Sequence, residues 1–215
     1  MGTTTERIND AFLDVDFANY DEVKAASKKL TNIPGKEVIA WLSKEAKQWN
    51  YTVIFYGIKN IEEIFGAEFD LEWIINLFFS EPDIWSRRKN DEILKEFKDV
   101  TGKDITVDDV TNHIDIDFLL ESVSFDVGIT GFLEFIKDNG GDPRLLVKKV
   151  ASVEDELTYE DVTDIVYSLA PYIEPDDFNF EKLFLLVDWS DTEEFGITHG
   201  FLDFFRKFAP GLVPP

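Results

Sequence analysis

Acid–base or metal chemistry in this 215-residue chain would have to come from two histidines, His113 and His199, and from 44 aspartates and glutamates, because there is no cysteine. That absence removes disulfides, thiolate metal sites and thiol nucleophiles together. The densest mixed cluster is His113-Ile114-Asp115-Ile116-Asp117, with Asp109 one helical turn before His113, a set that could offer nitrogen and oxygen to a divalent ion. Two histidines are a thin supply for a transition metal. A surface imidazole beside carboxylates is the simpler reading, and its consequence is a raised affinity for a proton in mild acid.

Calcium fares no better. A helix-loop-helix calcium loop needs glycine at its sixth position and a bidentate glutamate at its twelfth. Counting from Asp104 gives Asp109 and Asp115, and counting from Asp188 gives Glu193 and His199, so neither loop qualifies. The sequence has no Gly-x-Ser-x-Gly elbow, no Walker loop and no Gly-x-Gly-x-x-Gly, and Gly140-Gly141 reads as the cap of the helix before it. Carboxylate pairs serve as general acid and base in many hydrolases, but among so many acids close pairs arise by chance. The expectation is a protein that is not an enzyme and needs no metal or cofactor, with a carboxylate- or metal-dependent enzyme as the remotest alternative.

Where the acids fall is more informative. Between Asp104 and Asp203 there are 25 acids against five bases, whereas residues 1–103 hold 19 acids and 14 bases. Twenty Phe, six Tyr and five Trp argue that this is a folded surface and not a disordered tail. A net charge of −23 repels nucleic acid and anionic lipid and steers basic partners inward. The same acidity also serves solubility alone. No apolar run approaches the roughly 18 residues of a membrane span. The start of the chain has no basic, then apolar leader, and Glu6 stands where a myristoylation motif wants Ser or Thr. A soluble cytoplasmic or otherwise intracellular protein is expected.

The elements that carry these groups read as helices. A polar start leads to a helix near Asp21–Leu30, stopped by Asn32-Ile33-Pro34-Gly35. A second has Val38, Leu42, Ala46 and Trp49 at helical spacing with Trp41 beside them. Tyr51–Tyr56 is strand-like in composition but has no pairing partner, so we read it as helical or irregular, with Gly57 opening a short helix to Phe65.

Beyond Gly66 a two-helix pattern recurs. Its first half is Phe69–Phe78, Ile114–Val123 and Phe178–Val187, each followed by a polar turn with Asp83, Asp126, or Asp188 and Asp191. Its second half is Ile93–Asp99, Phe132–Asp138 and Phe201–Lys207. The connecting segments match too, with Thr106 and Thr158 as N-caps and an acid three residues on. The matching leucines 94, 133 and 202 are spaced by about 39 and about 69 residues, too irregular for a solenoid. The fold class expected is all-α, a compact helical domain built partly from degenerate repeated helical hairpins. It comprises an N-terminal helical portion at 1–66 and an acidic hairpin portion at 67–215, packed as one unit.

Acids in first turns, such as Asp109 and Asp161, are accounted for as helix-dipole partners. Those left over form the candidate partner-binding set: Glu154, Asp155, Glu156, Glu174, Asp176, Asp177, Asp188, Asp191, Glu193 and Glu194, together with Trp189. Trp85 and Trp189 stand in acid-flanked turns, where an exposed aromatic suits a basic partner and a buried one serves the core. Ser86-Arg87-Arg88-Lys89, the one basic cluster, reads as a solvated face balanced by Asp91 and Glu92. The function expected is non-enzymatic engagement of a basic protein surface. In its sharpest form this is a nucleic-acid mimic occupying the channel of a nucleic-acid-binding protein, as a virus-encoded antagonist of a host nuclease would. The alternative is a structural or assembly protein, of a virion or scaffold, that self-associates through Phe-rich helices.

Overall fold

Side-chain oxygens open most of the helices. In a computed structural model describing residues 3–45, 51–81, 84–85, 89–120 and 128–213, Thr3, Asn19, Asp70, Thr106, Asp142, Thr158, Asn179 and Asp188 each accept a hydrogen bond from the first turn of the helix they precede. Such caps satisfy amides that a helix leaves orphaned. The chain is all-α, with no strand among the described residues. In order, the helices are α1 Thr4–Phe12, α2 Tyr20–Lys28, α3 Gly35–Glu45, α4 Tyr51–Phe65, α5 Leu71–Phe79, α6 Asn90–Thr101 and α7 Val107–His113. They continue as α8 Ile116–Leu120, α9 Gly128–Asp138, α10 Pro143–Ala151, α11 Tyr159–Asp164, α12 Phe180–Leu186, α13 Trp189–Glu194 and α14 Thr198–Phe208. Short 3₁₀ turns occupy Glu154–Glu156 and Ala170–Tyr172, and a π-helical turn, Ile165–Leu169, continues α11.

The chain divides into two compact units, Met1–Ile84 with Glu92–Ile105, and Trp85–Asp91 with Thr106–Pro215. In the first, α4 packs against α2, α3 and α5. Tyr51–Tyr56 is helical and continuous with the rest of α4, so the helix does not begin at Gly57. Gly57 is an interior residue there because of close packing: a Cβ would lie 2.3 Å from Cβ of Phe17, which is itself buried. Rings of Phe55, Phe78, Phe79 and Phe97 form the centre of this unit, with Phe55 and Phe78 stacked at 4.8 Å. Val38, Trp41 and Leu42 are buried as their spacing requires, while Ala46 and Trp49 lie outside the described residues. Glu62 accepts from the Phe69 amide at 2.8 Å and pairs with Lys103 at 3.2 Å, tying the α4–α5 connection to the segment after α6.

In the second unit α9 is the hub, contacting α7, α8, α10, α11 and the π-turn. Its Phe132 and Phe135 are fully buried, and Trp85 lies edge-on to both rings at 5.9 and 5.3 Å. Tyr167, on the π-turn, donates to the Ile197 carbonyl at 2.9 Å and so joins this segment to the start of α14.

Candidate functional site

The acids of the second unit sort into two groups by what they touch. The capping boxes expected at Thr106 and Thr158 are both formed. The Thr106 amide donates to Asp109 Oδ2 at 2.8 Å and the Thr158 amide to Asp161 Oδ2 at 2.7 Å, each acid's own amide returning a bond to the threonine hydroxyl. These bonds to Thr106, its amide first, hold the Asp109 carboxyl below the ordinary carboxylate range. His113 Nδ1 lies 2.8 Å from the Asp109 carbonyl, and Asp115 accepts from the Asp117 amide at 3.1 Å. Among the described residues no group of three or more His, Asp or Glu could hold a metal ion.

Of the candidate partner-binding residues, six acids are committed within the fold. Glu154 accepts from the Asn179 amide at 2.7 Å, and Asp155 pairs with Lys182, whose hydrogen bond lowers its pKa. Asp177 receives both guanidinium nitrogens of Arg144, and Arg144 Nη2 also reaches Glu174 at 3.0 Å. The Arg144 hydrogen bonds hold the Asp177 carboxyl below its ordinary range. Asp188 caps α13 through the amides of Ser190 and Asp191, at 3.0 and 3.1 Å. Asp191 bonds the Tyr159 hydroxyl, whose pKa is raised first by burial and then by that carboxylate.

These contacts bring 154–156 and 174–177 to the N-terminal end of α12, where Asn179 and Lys182 hold one set and Arg144 the other. Residues 154–156 form a 3₁₀ turn, while Asp188 precedes α13 as its N-cap and Asp191, Glu193 and Glu194 lie within that helix. Trp189 is half-buried, its ring 4.9 Å from Phe184 and 6.3 Å from Phe201, and Trp85 is likewise half-buried against α9. Both tryptophans thus serve the core.

Glu156, Asp176, Glu193 and Glu194 remain, all exposed and with no side-chain partner among the described residues. Of the basic cluster, Ser86, Arg87 and Arg88 lie outside the described residues, as do Asp83 and Asp126, and Lys89 is exposed.

One half-buried acid escaped sequence reasoning. Asp164, at the junction of α11 and the π-turn, accepts from Thr130 Oγ1 at 3.1 Å, and that hydroxyl lies 2.7 Å from Ser168 Oγ. Burial raises the Asp164 pKa. The signal lies in tertiary contact with α9 and has no local motif.

No helix of the described residues is long and apolar enough to cross a membrane. Comparison with family models, with curated proteins and with solved structures gave no match.

Proposed function

We propose that this chain is a non-enzymatic acidic binding protein whose second unit engages a basic surface on another protein. Its sharpest form is a mimic that fills a nucleic-acid-binding channel, as a viral antagonist of a host nuclease would. The observation that carries the reading is the sorting of carboxylates. The second unit has 25 acids against ten bases; Asp109, Asp161, Asp177 and Asp188 are tied to backbone amides or to Arg144, while Glu156, Asp176, Glu193 and Glu194 are among the acids it presents to water. Carboxylates held by a rigid helical frame cost a partner little ordering entropy, and their summed field steers cationic partners.

We further read the pairs α5 with α6, α8 with α9 and α12 with α14 as divergent copies of one helical hairpin. Supporting this, the first helix of each pair opens on a side-chain oxygen at the equivalent position, Asp70, Asp115 and Asn179. Phenylalanines also join two of the pairs, Phe78 with Phe97 at 5.3 Å and Phe184 with Phe205 at 5.1 Å. Such copies would set carboxylates at recurring positions on a surface.

The test is capture of proteins from a cell extract by the immobilised chain at low and high salt, with duplex DNA as competitor. Basic nucleic-acid-binding proteins should be retained at low salt and displaced by DNA or by raised salt. Retention of nothing basic at low salt refutes the proposal; retention that DNA does not displace refutes the mimic form.

A further inference from the structure

The two most exposed large apolar side chains among the described residues of the second unit, Leu185 at 78% and Phe195 at 68%, stand at either side of α13, next to presented acids. Neither is required by the local fold. On α12, Phe180 and Leu183 are buried, while Leu185 shares the opposite face with Glu181, one turn earlier. At the end of α13 the chain makes a Schellman cap. Gly196, at φ 69°, donates to the Glu193 carbonyl at 3.1 Å, and Ile197 donates to the Thr192 carbonyl at 2.9 Å. The apolar contact that accompanies such a cap falls to Ile197, so Phe195 has no part in it.

The charged residues between them in sequence have one sign. Asp188, Glu193 and Glu194 are exposed, and no lysine or arginine occurs between Lys182 and Arg206. Single exposed apolar residues need no explanation, but these two stand within eleven residues whose other exposed side chains are Asp188, Ser190, Glu193 and Glu194, while Leu186, Val187 and Trp189 are buried or half-buried.

We propose that the corner formed by α12 and α13 is a docking surface for a basic amphipathic segment of a partner protein. Apolar residues of the segment would cover Leu185 and Phe195, and its lysines or arginines would meet Glu193 and Glu194. This rests on the acidic-binding reading above and deepens it: the charges give attraction, and the apolar pair selects an amphipathic segment over a merely cationic one.

The experiment titrates the full chain with two fluorescent 14-residue peptides, one with Leu and Lys at helical spacing and one with Ser in place of every Leu. The Leu peptide should bind at least about tenfold more tightly, the equivalent of about 1.4 kcal/mol. Leu185→Ser and Phe195→Ser should each narrow that ratio several-fold, while Asp10→Asn with Glu37→Gln, two exposed acids of the first unit, should leave it unchanged. Circular dichroism checks that each surface variant is folded.

If both peptides bind equally and the serine variants change nothing, while Glu193→Gln with Glu194→Gln weakens both, the docking surface is refuted and the acidic reading stands. If neither peptide binds, both readings fall. If sedimentation shows a dimer that the serine variants dissolve, a second copy covers this corner and the proposal is overturned.

Discussion

Replacing Asp177 by Asn isolates the structural work done by a framework carboxylate. Its side chain is 12% exposed and that of Arg144 22%. Asp177 accepts from both terminal nitrogens of Arg144 and from the Glu174 amide at 2.6 Å, while Arg144 also donates to the Tyr172 carbonyl at 2.7 Å. Asparagine keeps the shape but removes the charge and turns an amide NH₂ toward the guanidinium. A hydrogen bond to a charged group contributes about 1.5–3 kcal/mol. Because Glu174 and Tyr172 still hold Arg144 and the site is partly wet, the expected loss is at the lower end, about 2 kcal/mol.

Urea denaturation followed by circular dichroism measures this loss, and amide exchange over α10 and residues 173–178 locates it. A double-mutant cycle with Arg144→Met should give a coupling of about 1–2 kcal/mol. The pH dependence has a fixed sign. The folded state lowers the Asp177 pKa, so this contribution is fully present above the ordinary carboxylate range and is lost as pH falls through the folded value. The penalty of Asp177→Asn should therefore vanish over the same interval. A loss under about 0.5 kcal/mol at neutral pH, within the range of ordinary surface changes, or a coupling of zero, would refute the assignment of Asp177 to the framework.

Three further outcomes are expected. Gly57→Ala gains about 1 kcal/mol of helix propensity but drives a methyl into Phe17, at 2.3 Å from its Cβ and 2.8 Å from its carbonyl oxygen; overpacking of this kind costs about 1–3 kcal/mol, so thermal denaturation should show a net loss. Gly200→Ala places a methyl 2.3 Å from the Tyr167 hydroxyl, and should break its bond to Ile197 and lower stability by about 1 kcal/mol, with Tyr167 more accessible to quenchers of its fluorescence. Asp164→Asn should stabilise the fold at neutral pH, because burial raises the Asp164 pKa and the folded state then carries a disfavoured charge; the gain should disappear in denaturation curves below the ordinary carboxylate range, where the proton is bound in both states.

The helical class and its punctuation were legible because they depend on neighbours in sequence. The capping boxes at Thr106 and Thr158 need only a hydroxyl and a carboxylate three residues apart. A third box, Thr3 with Glu6, opens α1 and was there to be read, but the segment looked like a polar lead. Gly57 carried the opposite signal to its role: a glycine that suggested a helix start marks a close approach by Phe17, 40 positions away.

The same limit governed the acids. Glu154, Asp155 and Asp177 were selected because no local cap explained them, yet their partners lie 25, 27 and 33 residues away. Spacing along one chain carries no information about contacts of that range. What remains after they are subtracted, Glu156, Asp176, Glu193 and Glu194, is a smaller set that tests the function more sharply.

The central claim is that these four acids, and not the net charge as a whole, meet a basic partner. The direct measurement is calorimetric titration of poly-lysine into two variants of equal charge change. One replaces Glu156, Asp176, Glu193 and Glu194 by their amides, and the other replaces Asp10, Glu37, Glu72 and Asp99, four exposed acids of the first unit. At about 0.5–1 kcal/mol for each exposed charge contact, the second-unit variant should lose about 30-fold or more in affinity at low salt and the first-unit variant only a few-fold. Equal losses in the two variants would contradict the account and leave bulk charge as the sole attraction.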